Sequence, residues 1–218
     1  MKMYGFWRSL AAYRVRVALK LKNVSFTEEP VNLLAGEQHD PAYLKINPQG
    51  AVPALMLDDG TVLSQSMAIM EYLDETYPAP FPLLPADPLG KCRVRSLCHI
   101  AVSDGHPLVV PRIRSYLGKN LALGDERTAQ WLNHWSDKCL SAFDARLSQE
   151  PGAGRFCHGD VVSMADIALA SQVIGATEFF ACKLSSYPRV QAIFEALSHI
   201  EAFEKSHPKL QAGAPAAN

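Results

Sequence analysis

Between residues 78 and 88 the chain carries five prolines, at 78, 80, 82, 85 and 88. Proline lacks a backbone N–H and fixes its φ angle, so a run this dense cannot continue a helix or lie inside a sheet. The stretch 79–88 therefore reads as a linker between a domain over 1–78 and a second over 89–210. The Ala-, Gly- and Pro-rich tail over 211–218 is expected to be disordered.

The first domain alternates short β-like runs with helical ones, the pattern of an α/β unit. Lys2 to Phe6 suits a short strand, and 10–22 a helix with Ala11, Val15, Ala18 and Leu19 on one face. On that helix Arg14, Arg16, Lys20 and Lys22 add charge. A second strand fits 25–29, ended or edged by Pro30. Two apolar runs, 52–57 and 61–63, flank Asp58-Asp59-Gly60, a hairpin signal. Another helix follows from Ser66 until Pro78 stops it. Beyond the linker only helical periodicity is found, over about 89–117, 125–147, 163–180 and 187–206, so the second domain is expected to be an all-α bundle. Pro107 and Pro111 should break its first helix.

The net charge of −1 supplies no field that would gather nucleic acid or an anionic membrane. No apolar run approaches a membrane span or a signal-peptide core, so a cytoplasmic address is expected. The five cysteines, Cys92, Cys98, Cys139, Cys157 and Cys182, show neither metal-ligand nor redox-pair spacing. They are expected to be free thiols, with no metal bound.

Three short segments could carry chemistry. Ser9 precedes the first helix, where a hydroxyl can cap the helix or donate a hydrogen bond to an anion held at its N-terminus. In Asn47-Pro-Gln-Gly-Ala-Val-Pro53, the proline stands before a strand and suits a cis bond that would leave the Val52 N–H and C=O free for an extended peptide; a trans proline at a strand start fits equally. Gln65-Ser66 opens the later helix, either as a plain cap or as a carboxylate site.

Together these segments resemble the cytosolic glutathione transferases. Phe6-Trp-Arg-Ser9 followed by Tyr13-Arg-Val-Arg-Val-Ala-Leu19 is similar to the zeta class, which includes maleylacetoacetate and maleylpyruvate isomerases. The resemblance runs from Met3 to about Pro208, and includes the capping box Ser163-x-x-Asp166, with Val162 and Ile167 at the staple positions. It implies the glutathione transferase fold: an α/β thioredoxin-like N-terminal domain that binds glutathione and an all-α C-terminal helical bundle, normally in a homodimer. It also implies that Ser9 stabilises the glutathione thiolate, that Val52 before cis-Pro53 pairs with the cysteinyl unit, and that Gln65 and Ser66 hold the γ-glutamyl carboxylate. Gln38 and His106 match two further glutathione contacts. A free thiol has a pKa of about 8.5, which a helix N-terminus and one hydroxyl donor can lower.

Departures from the family pattern bear on the substrate. A second hydroxyl often follows the serine, whereas here Ser9-Leu10-Ala11 has none. Val109 and Val110 stand where polar residues are frequent, making that wall more apolar. Glu178, in Gly175-Ala-Thr-Glu178-Phe179, stands where the isomerases carry an arginine for a dicarboxylate. Arg8 and Arg112 remain as cations for an anionic substrate. The preferred expectation is thus a zeta-like transferase acting on a small activated electrophile, with a maleyl-type isomerase as its alternative. A non-catalytic glutathione-binding module is a third reading, opposed by the intact Ser9, Val52-Pro53 and Gln65-Ser66.

Overall fold

The computed structural model describes residues 1–215, and the described chain forms two compact units. The first comprises Met1–Pro82 with the segment from His199 onward; the second is Leu83–Ser198. In the first, β1 (Lys2–Gly5), α1 (Leu10–Leu21), β2 (Thr27–Pro30), α2 (Pro41–Leu44), β3 (Ala54–Met56), β4 (Val62–Ser64) and α3 (Ser66–Thr76) follow in order. The four strands form one sheet in the order β2-β1-β3-β4, with β1 parallel to β2 and antiparallel to β3, and β3 antiparallel to β4. Pro30 falls on the edge strand β2, where its missing N–H leaves no ladder bond unmade. The β3–β4 turn closes through Gly60 N–H to Leu57 O (3.1 Å) and Leu57 N–H to Thr61 O (2.8 Å). Gly60 takes a φ of 88°, open to glycine at little steric cost.

α1 is buried on almost every side. Ala12, Val15, Ala18 and Leu19 are fully enclosed, as the apolar pattern requires, but Arg14, Arg16 and Lys22 are enclosed too. Their charges, which the sequence presents as the polar side of an amphipathic helix, are internal because α1 packs against both α3 and α9 (Glu201–Glu204). Arg16 pairs with Glu28 (2.5 Å), and Lys22 pairs with Asp74 (2.6 Å) while donating to the Phe81 carbonyl (2.6 Å). Without these partners, burial of the cations would be prohibitive.

The second unit is all helix: α4 (Pro88–His99), α5 (Pro111–Lys119), α6 (Asp125–Gln149), α7 (Met164–Ile174) and α8 (Pro188–Ser198). The helix expected over 89–117 breaks where prolines demand it. After α4 the chain widens into π-type turns at Ile100–Gly105, tightens at His106–Leu108, and restarts with Pro111 in the first turn of α5. The helix expected over 163–180 likewise ends in a π-type turn at Gly175–Phe179.

At the C-terminal end, the segment from His199 onward groups by contact with the first unit, where α9 packs on α1. The start of the tail is also hydrogen-bonded: the Gln211 amide donates to the carbonyls of Lys205 (3.0 Å) and His207 (2.8 Å). The rest of the expected disordered tail, 216–218, lies outside the described residues.

The box at the start of α7 centres on Asp166, which is wholly buried. Its carboxylate accepts from the Ser163 N–H (2.8 Å), the Ser163 hydroxyl (2.7 Å) and the Cys157 N–H (2.8 Å), tying the incoming loop to the helix. Asp166→Ala strands two buried backbone donors and should cost about 3 kcal/mol or more of stability in urea unfolding. A loss below about 1 kcal/mol would show that the box is dispensable.

Candidate functional site

The sheet register fixes where the three singled-out segments emerge. Tyr4 of β1 stands opposite Ala54 of β3, and Ala54 stands opposite Ser64 of β4. The end of β1, the start of β3 and the end of β4 therefore lie at the same end of the sheet. Phe6–Ser9, Val52-Pro53 and Gln65-Ser66 are the residues attached there. Gly5 stands beside Pro30, so the chain after β2, which leads to Gln38, leaves from that end as well.

Ser9 caps α1 with its side chain: Oγ accepts from the Ala12 N–H at 3.1 Å, and the Ser9 carbonyl accepts from Tyr13 N–H at 2.9 Å. Capping uses an oxygen lone pair, and the hydroxyl hydrogen remains to be donated. The side chain is half-buried, and the first turn of α1 contains no acidic residue, so nothing on the helix offsets the positive end of its dipole. Neighbouring Arg8 is half-buried, and that burial lowers its guanidinium pKa.

The Val52–Pro53 peptide is cis. Val52 is half-buried, and neither its N–H nor its C=O is hydrogen-bonded to any described residue. This leaves one donor and one acceptor side by side at the head of β3. The loop before it is held from below. Ala51 O accepts from the Tyr43 hydroxyl (2.7 Å) and from Asn47 Nδ2 (2.8 Å). Burial pushes the Tyr43 phenol up to about 12, so it stays a donor at physiological pH. Gly50 adopts a φ of 59°, and a Cβ there would stand 3.1 Å from Gln38 O and 3.2 Å from the His39 ring. This close approach brings the short turn Glu37–His39 against the loop. Gln38 is half-buried, and its Oε1 is buried without a hydrogen-bond partner.

Gln65 precedes α3 at φ 69°, a left-handed value that is strained for a residue other than glycine. Its exposed amide donates to Gln49 Oε1 (2.9 Å), linking it to the Val52 loop. α3 has neither a side-chain cap nor an acidic residue in its first turn, so its leading N–H groups are open to an anion. Ser66 is buried, and its Oγ accepts from Arg14 Nε at 3.0 Å. No local pattern signals this role of Arg14, because its partner lies in a helix 52 positions away. Asn47 and Tyr43 were missed as loop supports, although an Asn before a Pro often initiates a turn.

Four further residues singled out in the sequence belong to the second unit. His106 is half-buried in the turn His106–Leu108, and Arg112 is exposed on α5. Glu178 is exposed in the turn Gly175–Phe179. Val109, expected to line a wall, is instead a core residue, 2% exposed and clustered with Leu132 and Phe180. Only its neighbour Val110 is partly accessible. Among the described residues no group of His, Cys, Asp or Glu could hold a metal ion, and no helix is long and apolar enough to cross a membrane.

Comparison with known proteins agrees with this geometry. Residues 1–75 match the family model "Glutathione S-transferase, N-terminal domain" and residues 111–207 match "Glutathione S-transferase, C-terminal domain". The maleylacetoacetate isomerase of Pseudomonas aeruginosa is 39% identical over the full length of both chains. The crystal structure of a maleylacetoacetate isomerase from Methylobacterium extorquens AM1, with bound malonate and glutathione, superposes with a TM-score of 0.96 at 47% identity, covering 99% of this chain and 100% of that one. A maleylpyruvate isomerase, described as a bacterial zeta-class glutathione S-transferase, superposes at 0.95 with 38% identity over 99% and 100% of the two chains. This chain belongs to the glutathione S-transferase family and, within it, to the zeta class.

Proposed function

We propose that the protein binds glutathione at the shared end of its four strands and adds the thiolate to a small electron-poor alkene, returning the trans isomer of a maleyl-type substrate. The observation that carries this reading is the Ser9 hydroxyl, which caps α1 through a lone pair and keeps its hydrogen for a sulfur anion. The helix dipole and the hydrogen bond both favour the thiolate over the thiol. Val52 offers its N–H and C=O to the cysteinyl unit beside cis-Pro53. Gln65 and the open N-terminus of α3, with Ser66, take the γ-glutamyl carboxylate. Gln38, whose Oε1 is unpartnered, and His106 are further glutathione contacts in this reading.

Sulfur adds to one alkene carbon, and the electron pair moves into the adjoining carbonyl as an enolate. The former double bond rotates, the enolate re-forms the alkene in the trans geometry, and the thiolate departs unchanged. In conjugation a halide leaves instead and glutathione is consumed. Two observations move isomerisation ahead of the order read from the sequence. The relatives reported above carry isomerase names. Val109, half of the apolar wall held against a charged substrate, is buried in the core. Arg8 and Arg112 are the proposed cations for the substrate carboxylate.

Incubation with maleylacetone and catalytic glutathione should give the trans product with no loss of thiol. Halide release from small haloacids, with glutathione consumed and no isomerisation, would replace this reading with conjugation. The two roles of Ser9 are separable. Ser9→Asp keeps a good N-cap, so stability should stay within about 0.5 kcal/mol of the parent. It removes the donor and places a negative charge against the thiolate, so turnover should fall by about 100-fold or more. Ser9→Ala should lose similar activity and about 1 kcal/mol of stability besides. Full turnover in Ser9→Asp would reduce Ser9 to a cap.

We also propose that the protein acts in the cytoplasm, where its five free cysteines stay reduced, and that it works as a homodimer. Light scattering should return twice the mass of one chain; the mass of a single chain would refute the dimer.

A further inference from the structure

We propose that Arg16 is a positioning residue for the thiolate site: its guanidinium, clamped by Glu28, holds the Phe6 carbonyl and so fixes the turn that carries Arg8 and Ser9. The inference rests on the thiolate role proposed above for Ser9.

The turn is closed by the Ser9 N–H, which donates to the Phe6 carbonyl at 2.9 Å. Trp7 and Arg8 form its centre, so its shape places both a proposed substrate cation and the residue that caps α1. A carbonyl oxygen has two lone pairs, and the second accepts from Arg16 Nη2 at 3.0 Å. That bond is buried and its donor is charged, which makes it strong for a bond to a turn. Arg16 stands about two turns beyond Ser9 on α1. Helix side chains lean toward the N-terminus, so a long one reaches back to the turn.

The guanidinium is itself held at two points by one carboxylate. Nε donates to Glu28 Oε2 at 2.8 Å, and Nη2 donates to Glu28 Oε1 at 2.5 Å. Glu28 lies on β2 opposite Met3, and its approach needs a bare Gly5, because a Cβ there would collide with Glu28 Oε1. A chain of hydrogen bonds thus runs from the edge strand through Arg16 and the Phe6 carbonyl to the backbone of Ser9. A lysine could serve the carboxylate or the carbonyl but lacks the fork that joins them. Arg16 Nη1 is buried with no hydrogen-bond partner, a loss that an apolar side chain of similar length would avoid. Stability alone therefore does not account for an arginine here; its hold on the Phe6 carbonyl does.

The test titrates glutathione bound to the full chain by the ultraviolet absorbance of the thiolate, with S-methylglutathione affinity as the measure of an intact peptide site. Arg16→Lys keeps the charge and loses the fork. It should raise the pKa of the bound thiol by about one and cut turnover about tenfold below that pKa. Turnover should recover as pH rises through the new value, and S-methylglutathione affinity should stay within about twofold. Gly5→Ala leaves Arg16 in place but pushes the Glu28 carboxylate out of the fork, and should move the pKa the same way by less. A folded Arg16→Lys that titrates at the parent's value would overturn the proposal. If Arg16→Lys does not fold, Gly5→Ala titrating at the parent's value would do so. Ser9→Ala separates this inference from the reading beneath it. A parent-like pKa in Ser9→Ala would remove both, whereas a raised pKa there beside an unmoved one in Arg16→Lys would remove the inference alone.

Discussion

The antiparallel register of the central strands is the constraint on which the candidate site depends. Tyr4, Ala54 and Ser64 lie in one row across β1, β3 and β4. Because side chains alternate along a strand, a slip of one residue would turn Met3 and Leu55, both fully buried, toward the opposite face. The pairing is thus specified by the core, and the site inherits its geometry from it. Ser9, Val52 and Gln65 are 13 to 56 positions apart in sequence, yet each follows or precedes that row by only a few residues.

The same economy holds within the side chains. The Ser9 oxygen closes the first turn of α1 and still has a hydrogen to give. The Ser66 hydroxyl receives the Arg14 guanidinium, so a buried cation of α1 finds its acceptor at the first residue of α3. Asp74 on α3 likewise neutralises Lys22 at the end of α1. The two helices whose N-termini face the proposed ligand are therefore joined by charge-assisted bonds in a low-dielectric interior, where such bonds are strong and their loss is severe. In the proposed reading, structural and binding roles meet in the same residues, which is why a cap and a ligand contact could not be told apart from sequence.

How much was legible follows from range. The hairpin, the proline break between α4 and α5, the box at Asp166 and the N-cap at Ser9 depend on residues a few positions apart, and the sequence displays each. The motifs around Val52-Pro53 and Gln65-Ser66 were legible because their spacing resembles a known family. The burial of Arg14, Arg16 and Lys22 was not legible, since a charged residue reads as exposed unless its distant partner is known; Glu28, Ser66 and Asp74 are those partners. Val109 was misread as a wall for the same reason: its neighbours Leu132 and Phe180 come from later segments. The packing of α9 on α1 is also long-range, and helical periodicity alone does not display it.

The proposed glutathione site holds anions chiefly with backbone. α1 and α3 each present an N-terminus free of acidic side chains, and Val52 presents an unpaired N–H and C=O. Oriented backbone dipoles need no reorganisation when a thiolate forms, whereas a flexible lysine or arginine would have to be drawn in and desolvated. They also recognise a carboxylate or a sulfur anion by position rather than by net charge, so a chain of net charge −1 can still bind an anionic peptide. Such a site specifies the nucleophile and says nothing of the carbon it attacks. In the proposed reading, choice of electrophile then falls to side chains outside this backbone frame.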